Sequence, residues 1–200
     1  MIARNLRGKG QRLLASFPVL VVLGARQVGK STFVRQLAPD WLYLDMENPI
    51  DAERVLDNPE LFFIDHAERV ILDEVQAQPK IFNILRGVID KDRTRLGRFI
   101  LTGSASFDLL VQVSESLAGR VALIEMHPLA QNEKREKPSA TFFEIFNRPL
   151  SAETQEQLLA LKAASAGSLA SREAMLWGGY PEPTLRGDAE FRMDWYENYF

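Results

Sequence analysis

An apolar stretch near the start of the chain runs directly into a loop that contains two glycines. The stretch is Val19–Leu23, and the loop that follows, Gly24–Thr32, reads Gly-Ala-Arg-Gln-Val-Gly-Lys-Ser-Thr. Its first eight residues satisfy the spacing G-x-x-x-x-G-K-[ST] in full. The glycines let the backbone curl so that successive N–H groups point at phosphate oxygens, and a helix that begins at Ser31 adds its positive dipole end. The chain is therefore predicted to bind a nucleoside triphosphate between a strand and a helix.

The residues of this loop have distinct predicted roles. Lys30 reaches the β and γ phosphates and is also a catalytic candidate, and the hydroxyl of Ser31 is a ligand for Mg²⁺. The residues predicted to hold the nucleotide are Gly24, Ala25, Arg26, Gln27, Val28, Gly29, Lys30, Ser31 and Thr32. ATP and Mg²⁺ are the expected cofactors.

Short apolar runs recur along the chain, separated by polar stretches of helical length. The runs are Val19–Leu23, Trp41–Leu44, Val70–Leu72, Phe99–Leu101 and Val121–Ile124. The predicted helices are Ser31–Leu37, Asp51–Leu56, Lys80–Asp90 and Phe107–Leu117. Because the runs are continuously apolar, the strands are expected to be covered on both faces, as in a parallel sheet flanked by helices. This pattern predicts an α/β fold whose chemical groups lie at the carboxyl ends of the strands.

The pattern changes after Pro128. The later segments are a charged connection at Gln131–Pro138, an apolar segment at Phe142–Phe146, helices at Glu153–Ala164 and Ala189–Phe200, and a rigid turn at Gly178–Pro183. We expect a core domain at residues 1–130 and a mostly helical, partial second domain at residues 131–200. The aromatic-rich last helix indicates a longer protein, and a reading frame that continues past Phe200 would bear this out.

Two adjacent acids end the third apolar run. Asp73 and Glu74 follow Val70–Leu72 directly. In an enzyme with a phosphate-binding loop, a strand-end aspartate holds Mg²⁺, usually through water. The adjacent glutamate can polarise the attacking water as a general base. The pair is commonplace by itself, but beside the loop it predicts a metal site at Ser31 and Asp73 and a general base at Glu74.

The fourth run leads into hydroxyl-bearing residues. Ser104 or Thr102 could hydrogen-bond the attacking water or the γ-phosphate, and Ser104 is the catalytic candidate. The alternative is that Ser104 or Ser106 caps the following helix.

Arg120 lies at the end of a predicted helix, just before the last strand. It could complete the charge clamp on the γ-phosphate of a neighbouring subunit, as arginine fingers do, which would require a homo-oligomer. The alternative is a solvated arginine or a structural ion pair. Arg26 is a weaker candidate for the same role. Asp45 and Glu47 also follow a strand, and they are interpreted as cap or loop residues.

The composition and the sequence pattern argue against several other classes of protein. Cysteine is absent, and neither His66 nor His127 has metal-ligand spacing around it. No apolar run approaches the roughly eighteen residues that a membrane helix needs. The sequence contains no N-K-x-D motif, the segment by which GTPases recognise guanine. Residues 1–39 carry seven basic side chains and no acidic one, which would suit nucleic acid, but three of the seven lie in or beside the phosphate-binding loop. A cytoplasmic protein with no membrane contact is expected, and nucleic-acid binding is the weaker interpretation.

These motifs together resemble the AAA+ ATPases, with a Walker A loop at Gly24–Thr32, a Walker B strand ending at Asp73 and Glu74, a sensor-like strand at Ile100–Ser104, and Arg120. The combination with Leu-Asp-Glu-Val-Gln, Leu-Ala-Gly-Arg and Trp-Gly-Gly-Tyr-Pro-Glu-Pro is similar to a poorly characterised branch of prokaryotic predicted ATPases. In that branch an AAA-type domain precedes a C-terminal domain of unknown function. The resemblance implies a three-layer P-loop sandwich with a mainly parallel five-stranded sheet, in which the sensor strand separates the Walker B and Walker A strands.

The leading functional hypothesis is an ATPase whose cycle drives a conformational change or the remodelling of an unknown protein partner. The alternative is a slow-hydrolysing, nucleotide-dependent regulatory switch or assembly module. A link to DNA through a further C-terminal region stays open. Glu74 favours the first, because a switch that never hydrolyses ATP needs no general base. A P-loop kinase is a third, less favoured hypothesis, since the acid pair is placed to act on water.

Overall fold

A computed structural model of the chain describes residues 2–137, 145, 148–149, 151–164 and 175–199. The chain forms two compact units, one of Leu6–His127 and the other of Met1–Asn5 with Pro128–Phe200. The predicted apolar segment Phe142–Phe146 lies outside the described residues, apart from Ile145, which is buried.

The larger unit is built on one five-stranded sheet. Its strands are β1 (Val19–Gly24), β2 (Leu42–Asp45), β3 (Val70–Asp73), β4 (Phe99–Ser104) and β5 (Val121–Met126). They lie in the order β2-β3-β4-β1-β5, and each neighbouring pair is parallel. The predicted α/β fold is confirmed, and so is the position of β4 between β3 and β1. Parallel strands need a crossover between them, which explains why helices alternate with strands along the chain.

Six helices are described in the larger unit. They are α1 (Arg7–Leu14), α2 (Lys30–Leu37), α3 (Pro49–Leu56), α4 (Pro59–Asp65), α5 (Lys80–Asp90) and α6 (Phe107–Leu117). The four predicted helices are confirmed as α2, α3, α5 and α6. The sequence analysis predicted neither α1, in which Gly8 and Gly10 disfavour a helix, nor α4. Gly10 is nonetheless suited to its place, since a Cβ there would lie 3.0 Å from a methyl group of Leu37 in α2.

Helices cover both faces of the sheet. On one face Val19, Val21 and Leu23 of β1 belong to a core that also contains apolar side chains of α3, α4, α5 and α6. On the other face α1 and α2 contact β1. The coverage predicted for all strands is wrong for β5, where Leu123 is 40% exposed and burial alternates along the strand. β5 is an edge strand, and an edge strand can leave part of one face open to solvent.

The described part of the smaller unit is helical. Its helices are α7 (Gln131–Lys134), α8 (Ala152–Ala164), α9 (Pro181–Arg186) and α10 (Ala189–Tyr199). The predicted connection Gln131–Pro138 therefore begins with a helical turn, in which the buried Glu133 accepts a hydrogen bond from the Ala130 N–H. The predicted turn at Gly178–Pro183 ends early, because Pro181 occupies the first helical position of α9, which suits a residue without an N–H. Among the described residues, no helix is both long and apolar enough to cross a membrane.

Candidate nucleotide-binding site

The loop between β1 and α2 has a conformation that demands its glycines. A Cβ on Gly24 would lie 2.4 Å from the carbonyl oxygen of Met126 on the adjacent strand, so no larger residue fits. Gly29 forms the N-cap of α2 and has a φ of +93°. Residues with a side chain rarely adopt this left-handed backbone conformation. Val28 is buried and anchors the loop, while Arg26 and Gln27 are exposed at its tip. The loop thus has exposed residues just before α2, the end of the helix at which the dipole is positive.

Lys30 is buried under this loop, although it is charged. Its Nζ donates hydrogen bonds to the carbonyl oxygens of Gly24 and Ala25, both at 3.2 Å. The same nitrogen lies 3.3 Å from Oε1 of Glu74. The amine is therefore held at the carboxyl end of β1 by two carbonyls and one carboxylate.

Asp73 is buried at the end of β3, where hydroxyl groups of two neighbouring strands donate to it. Thr102 of β4 donates to Oδ1, and Tyr43 of β2 donates to Oδ2. Burial of the phenol and its contact with the Asp73 carboxylate raise the pKa of Tyr43 to about 12, against smaller opposing effects of Arg35 and Ser31. The Arg35 guanidinium also lies 3.6 Å above the Tyr43 ring. Tyr43 thus links Asp73 to the helix that carries Ser31.

The chemistry of these groups suits Mg²⁺. The ion prefers oxygen ligands, and proteins bind it through one or two carboxylates together with waters and substrate phosphates. Asp73 offers a fixed carboxylate, and Ser31 offers a hydroxyl on the first turn of α2. The described residues contain no group of three acidic or histidine side chains that could hold a metal alone. Nucleotide phosphates and water would have to supply the remaining ligands.

Glu74 is held in an unusual backbone conformation immediately after β3. Its φ is +51°, in the left-handed region that non-glycine residues seldom occupy, and such residues cluster at functional sites. Its N–H donates to Oγ1 of Thr102 at 3.0 Å. Its Oε1 faces Lys30, and its Oε2 accepts a hydrogen bond from Nε2 of Gln76 at 2.7 Å. The carboxylate therefore lies beside the loop with both oxygens engaged.

Ser104 lies at the carboxyl end of β4, in register with Gly24 of β1. This places it beside the loop, as the strand pattern predicts, and its sensing role stays a prediction. The N-cap of α6 is Ser106, whose Oγ accepts a hydrogen bond from the Leu109 N–H at 3.3 Å. The Thr102 hydroxyl is engaged with Asp73 and the Glu74 N–H, so it supports the two acids.

Arg120 lies at the opposite end of the sheet from the loop. Its carbonyl accepts from the Val19 N–H at the amino end of β1, whereas the loop leaves the carboxyl end, roughly 17 Å away at 3.3 Å per residue. Its guanidinium forms two hydrogen bonds of 2.8 Å to the Asp90 carboxylate. Arg120 thus forms the structural ion pair. If it acts on a γ-phosphate, that phosphate must belong to a nucleotide bound by another subunit.

Sequence reasoning missed three residues of this architecture: Tyr43, Gln76 and Asp90. A tyrosine in an otherwise apolar strand is a weak signal for the first, since buried hydroxyls need a partner. For Gln76, the signal is its position two residues after Glu74, within reach of that carboxylate. Nothing in the sequence pairs Asp90 with Arg120, because thirty residues separate them.

Comparisons with known proteins agree with this arrangement. A family model described as an AAA domain matches residues 16–134. Uncharacterized proteins of Mycobacterium bovis and Mycobacterium tuberculosis are each 40% identical over 129 residues, which is 63% of this chain and 29% of theirs. The Walker-type ATPase of Pyrococcus abyssi shares the fold, with a TM-score of 0.54 over 97% of this chain and 71% of that one, at 17% identity.

A glycine loop between the first strand and its helix, with acids at the end of a nearby strand, defines the class of P-loop nucleotide-binding proteins. The chain belongs to the AAA domain family, since the family model covers more than half of it. The resemblance to AAA+ ATPases is thereby confirmed for residues 16–134. The matched relatives are more than three times as long as the segment they share with this chain.

Proposed function

We propose that this chain binds ATP with Mg²⁺ at the Gly24–Thr32 loop, hydrolyses it, and couples the cycle to a conformational change that acts on a protein partner. The observation that carries the proposal is the 3.3 Å approach of the Lys30 amine to the Glu74 carboxylate beside Asp73. The cation proposed to bind phosphate, the acid proposed to hold the metal and the proposed general base lie at one edge of the sheet.

The proposed chemistry assigns one task to each group. Backbone N–H groups of the loop and the Lys30 amine bind the β and γ phosphates. Mg²⁺ held at Asp73 and Ser31 would offset the charge that develops on the phosphate oxygens. Glu74 accepts a proton from water while the water oxygen bonds to the γ-phosphorus and the bond to the bridging oxygen breaks, so that ADP leaves.

This assignment requires a change at Lys30. In the structure its amine is engaged by two carbonyls and Glu74, so binding phosphate means that the amine gives up at least part of these contacts. The same event frees Oε1 of Glu74 to face water. Nucleotide binding would therefore be coupled to a change in the contacts of the Glu74 carboxylate.

ATP turnover of the chain, with and without Mg²⁺, tests the proposal. Glu74→Gln should retain ATP binding and slow hydrolysis by about 10²- to 10⁴-fold. Glu47→Gln is the matched control, because Glu47 is an exposed glutamate that follows β2. If the Glu74→Gln variant hydrolyses ATP at the unaltered rate with Mg²⁺ present, Glu74 is not the general base.

A slow-hydrolysing switch is the second candidate, favoured by the engagement of both Glu74 oxygens. A base that stays tied to Lys30 and Gln76 would leave ATP bound and intact. Tight ATP binding with ADP release near zero in the unaltered chain would establish the switch instead of the ATPase.

A further inference from the structure

Gln76 makes the second polar contact to the Glu74 carboxylate. It lies in the single 3₁₀ turn Val75–Ala77 that follows β3 and Glu74. Its Nε2 donates to Oε2 of Glu74 at 2.7 Å, a distance typical of a hydrogen bond to a charged acceptor. The orientation of the amide follows from chemistry, since turning it over would set its carbonyl oxygen against a carboxylate.

The glutamine is accommodated by a glycine on the next strand. A Cβ on Gly103 of β4 would lie 2.4 Å from Cδ2 of Leu109 and 2.6 Å from Oε1 of Gln76, so a larger residue there would displace both side chains. Within the described part of the chain, this Oε1 is buried and accepts no hydrogen bond. The hydrogen bond that fixes the amide within this part of the chain is therefore the one from Nε2 to Glu74.

The two restraints on Glu74 differ in what happens when phosphate binds. Lys30, which faces Oε1, is the residue that the phosphates would attract. Gln76 has no such competing role, and its contact with Oε2 can persist. One carboxylate oxygen would then face water while the other stays fixed, which is the arrangement that a general base needs.

We propose that Gln76 is the positioning residue of the general base, which it holds by Oε2 within a niche that Gly103 keeps open. The inference rests on the proposed hydrolysis. It predicts a catalytic defect in Gln76 variants that is separate from nucleotide binding, because Gln76 bonds to Glu74 and not to the loop.

Steady-state kinetics of Gln76→Leu provide the first test. Leucine approximates the size of glutamine but cannot donate to the carboxylate. We expect kcat to fall about ten- to hundredfold, as for other residues that orient a catalytic group, with ATP Kd and KM within about twofold of the unaltered chain. Gln76→Asn, which keeps a shorter amide, should recover part of the loss. Gln78→Leu is the matched control, two positions along the same segment.

A double-mutant cycle with Gly103→Ala provides the second test. The added methyl group should lower kcat in the unaltered chain by pushing the amide away from Glu74. In the Gln76→Leu background the further fall in kcat should be smaller, because the contact between Gln76 and Glu74 is already absent and only the displacement of Leu109 remains. The thermal midpoint of each variant shows that the compared proteins are folded.

The outcomes separate the two claims. If the unaltered chain does not hydrolyse ATP, the proposed function fails and the positioning role with it. If it does hydrolyse ATP while Gln76→Leu retains full kcat, only the positioning role is overturned. Equal losses from Gly103→Ala in both backgrounds would assign the effect to Leu109 and overturn the niche at Gly103. A loss of ATP affinity that parallels the loss of kcat would assign Gln76 a structural role.

Discussion

The Lys30 amine and the Glu74 carboxylate neutralise each other across 3.3 Å at the carboxyl edge of the sheet. Lys30 is almost fully buried, and about a fifth of the Glu74 side chain is exposed. A buried ammonium needs such compensation, since leaving water is costly for a charge. The pair therefore keeps the Lys30 ammonium group buried beside the loop.

Lys30→Met should weaken ATP binding at least about tenfold, because a charge-assisted hydrogen bond is worth about 1.5–3 kcal/mol and 1.4 kcal/mol is a factor of ten. Equilibrium binding of a fluorescent ATP analogue measures the change. Lys80→Met is the control, since Lys80 is an exposed lysine at the start of α5. Equal affinities for Lys30→Met and the unaltered chain would exclude Lys30 from the phosphate site.

Tyr43→Phe should raise the Mg²⁺ concentration needed for half-maximal ATP turnover by about tenfold, as expected when a partner of a metal-binding side chain is lost. The change removes the hydroxyl from Asp73 but keeps the ring beneath Arg35. A Mg²⁺ titration at saturating ATP measures it. Tyr180→Phe, in the smaller unit, is the control. An unchanged titration would show that Tyr43 does not orient the metal-binding carboxylate.

Arg120→Ala should lower turnover at least tenfold without changing ATP affinity, if Arg120 acts on the γ-phosphate of a neighbouring subunit. Mixing Arg120→Ala with Glu74→Gln should then restore activity, because a site with an intact Glu74 can receive an intact Arg120. Turnover of each variant alone and of the mixture measures this effect, with size-exclusion analysis in parallel. A fully active monomer would show that Arg120 does not act on a neighbouring subunit and has only the structural ion pair with Asp90.

Acid unfolding should reveal the Asp90 ion pair. The hydrogen bonds from Arg120, followed by those from Arg93, lower the pKa of Asp90 from 3.8 to about 2. A lowered folded-state pKa contributes stability above about pH 4 that is lost as the pH falls through 2. The difference in unfolding free energy between the unaltered chain and Asp90→Asn should therefore shrink from pH 5 to pH 2.

Urea unfolding at several pH values measures this difference. Because Asp90 is exposed, about 0.5 M salt should reduce the difference at pH 5 by screening the charges. A difference that is independent of pH would mean that Asp90 stabilises the fold through something other than its charge.

Much of the larger unit was predictable because its signals are local. Continuous apolar runs mark strands covered on both faces, and the helices Lys80–Asp90 and Phe107–Leu117 have the predicted bounds. Predictions failed where a local signal opposed the tertiary context. Gly8 and Gly10 disfavour α1, yet Gly10 packs so close to Leu37 of α2 that a side chain there would displace its methyl group.

The sequence by itself determined the Gly24–Thr32 loop and the acids at the end of β3. The loop is contiguous, and the carboxyl ends of parallel strands meet at one edge of a sheet. Only the tertiary structure decided the partners: Tyr43 on Asp73, Gln76 in the niche at Gly103, and Asp90 on Arg120. Each of these contacts joins residues about thirty positions apart, because strand order and register bring together side chains that no sequence spacing relates.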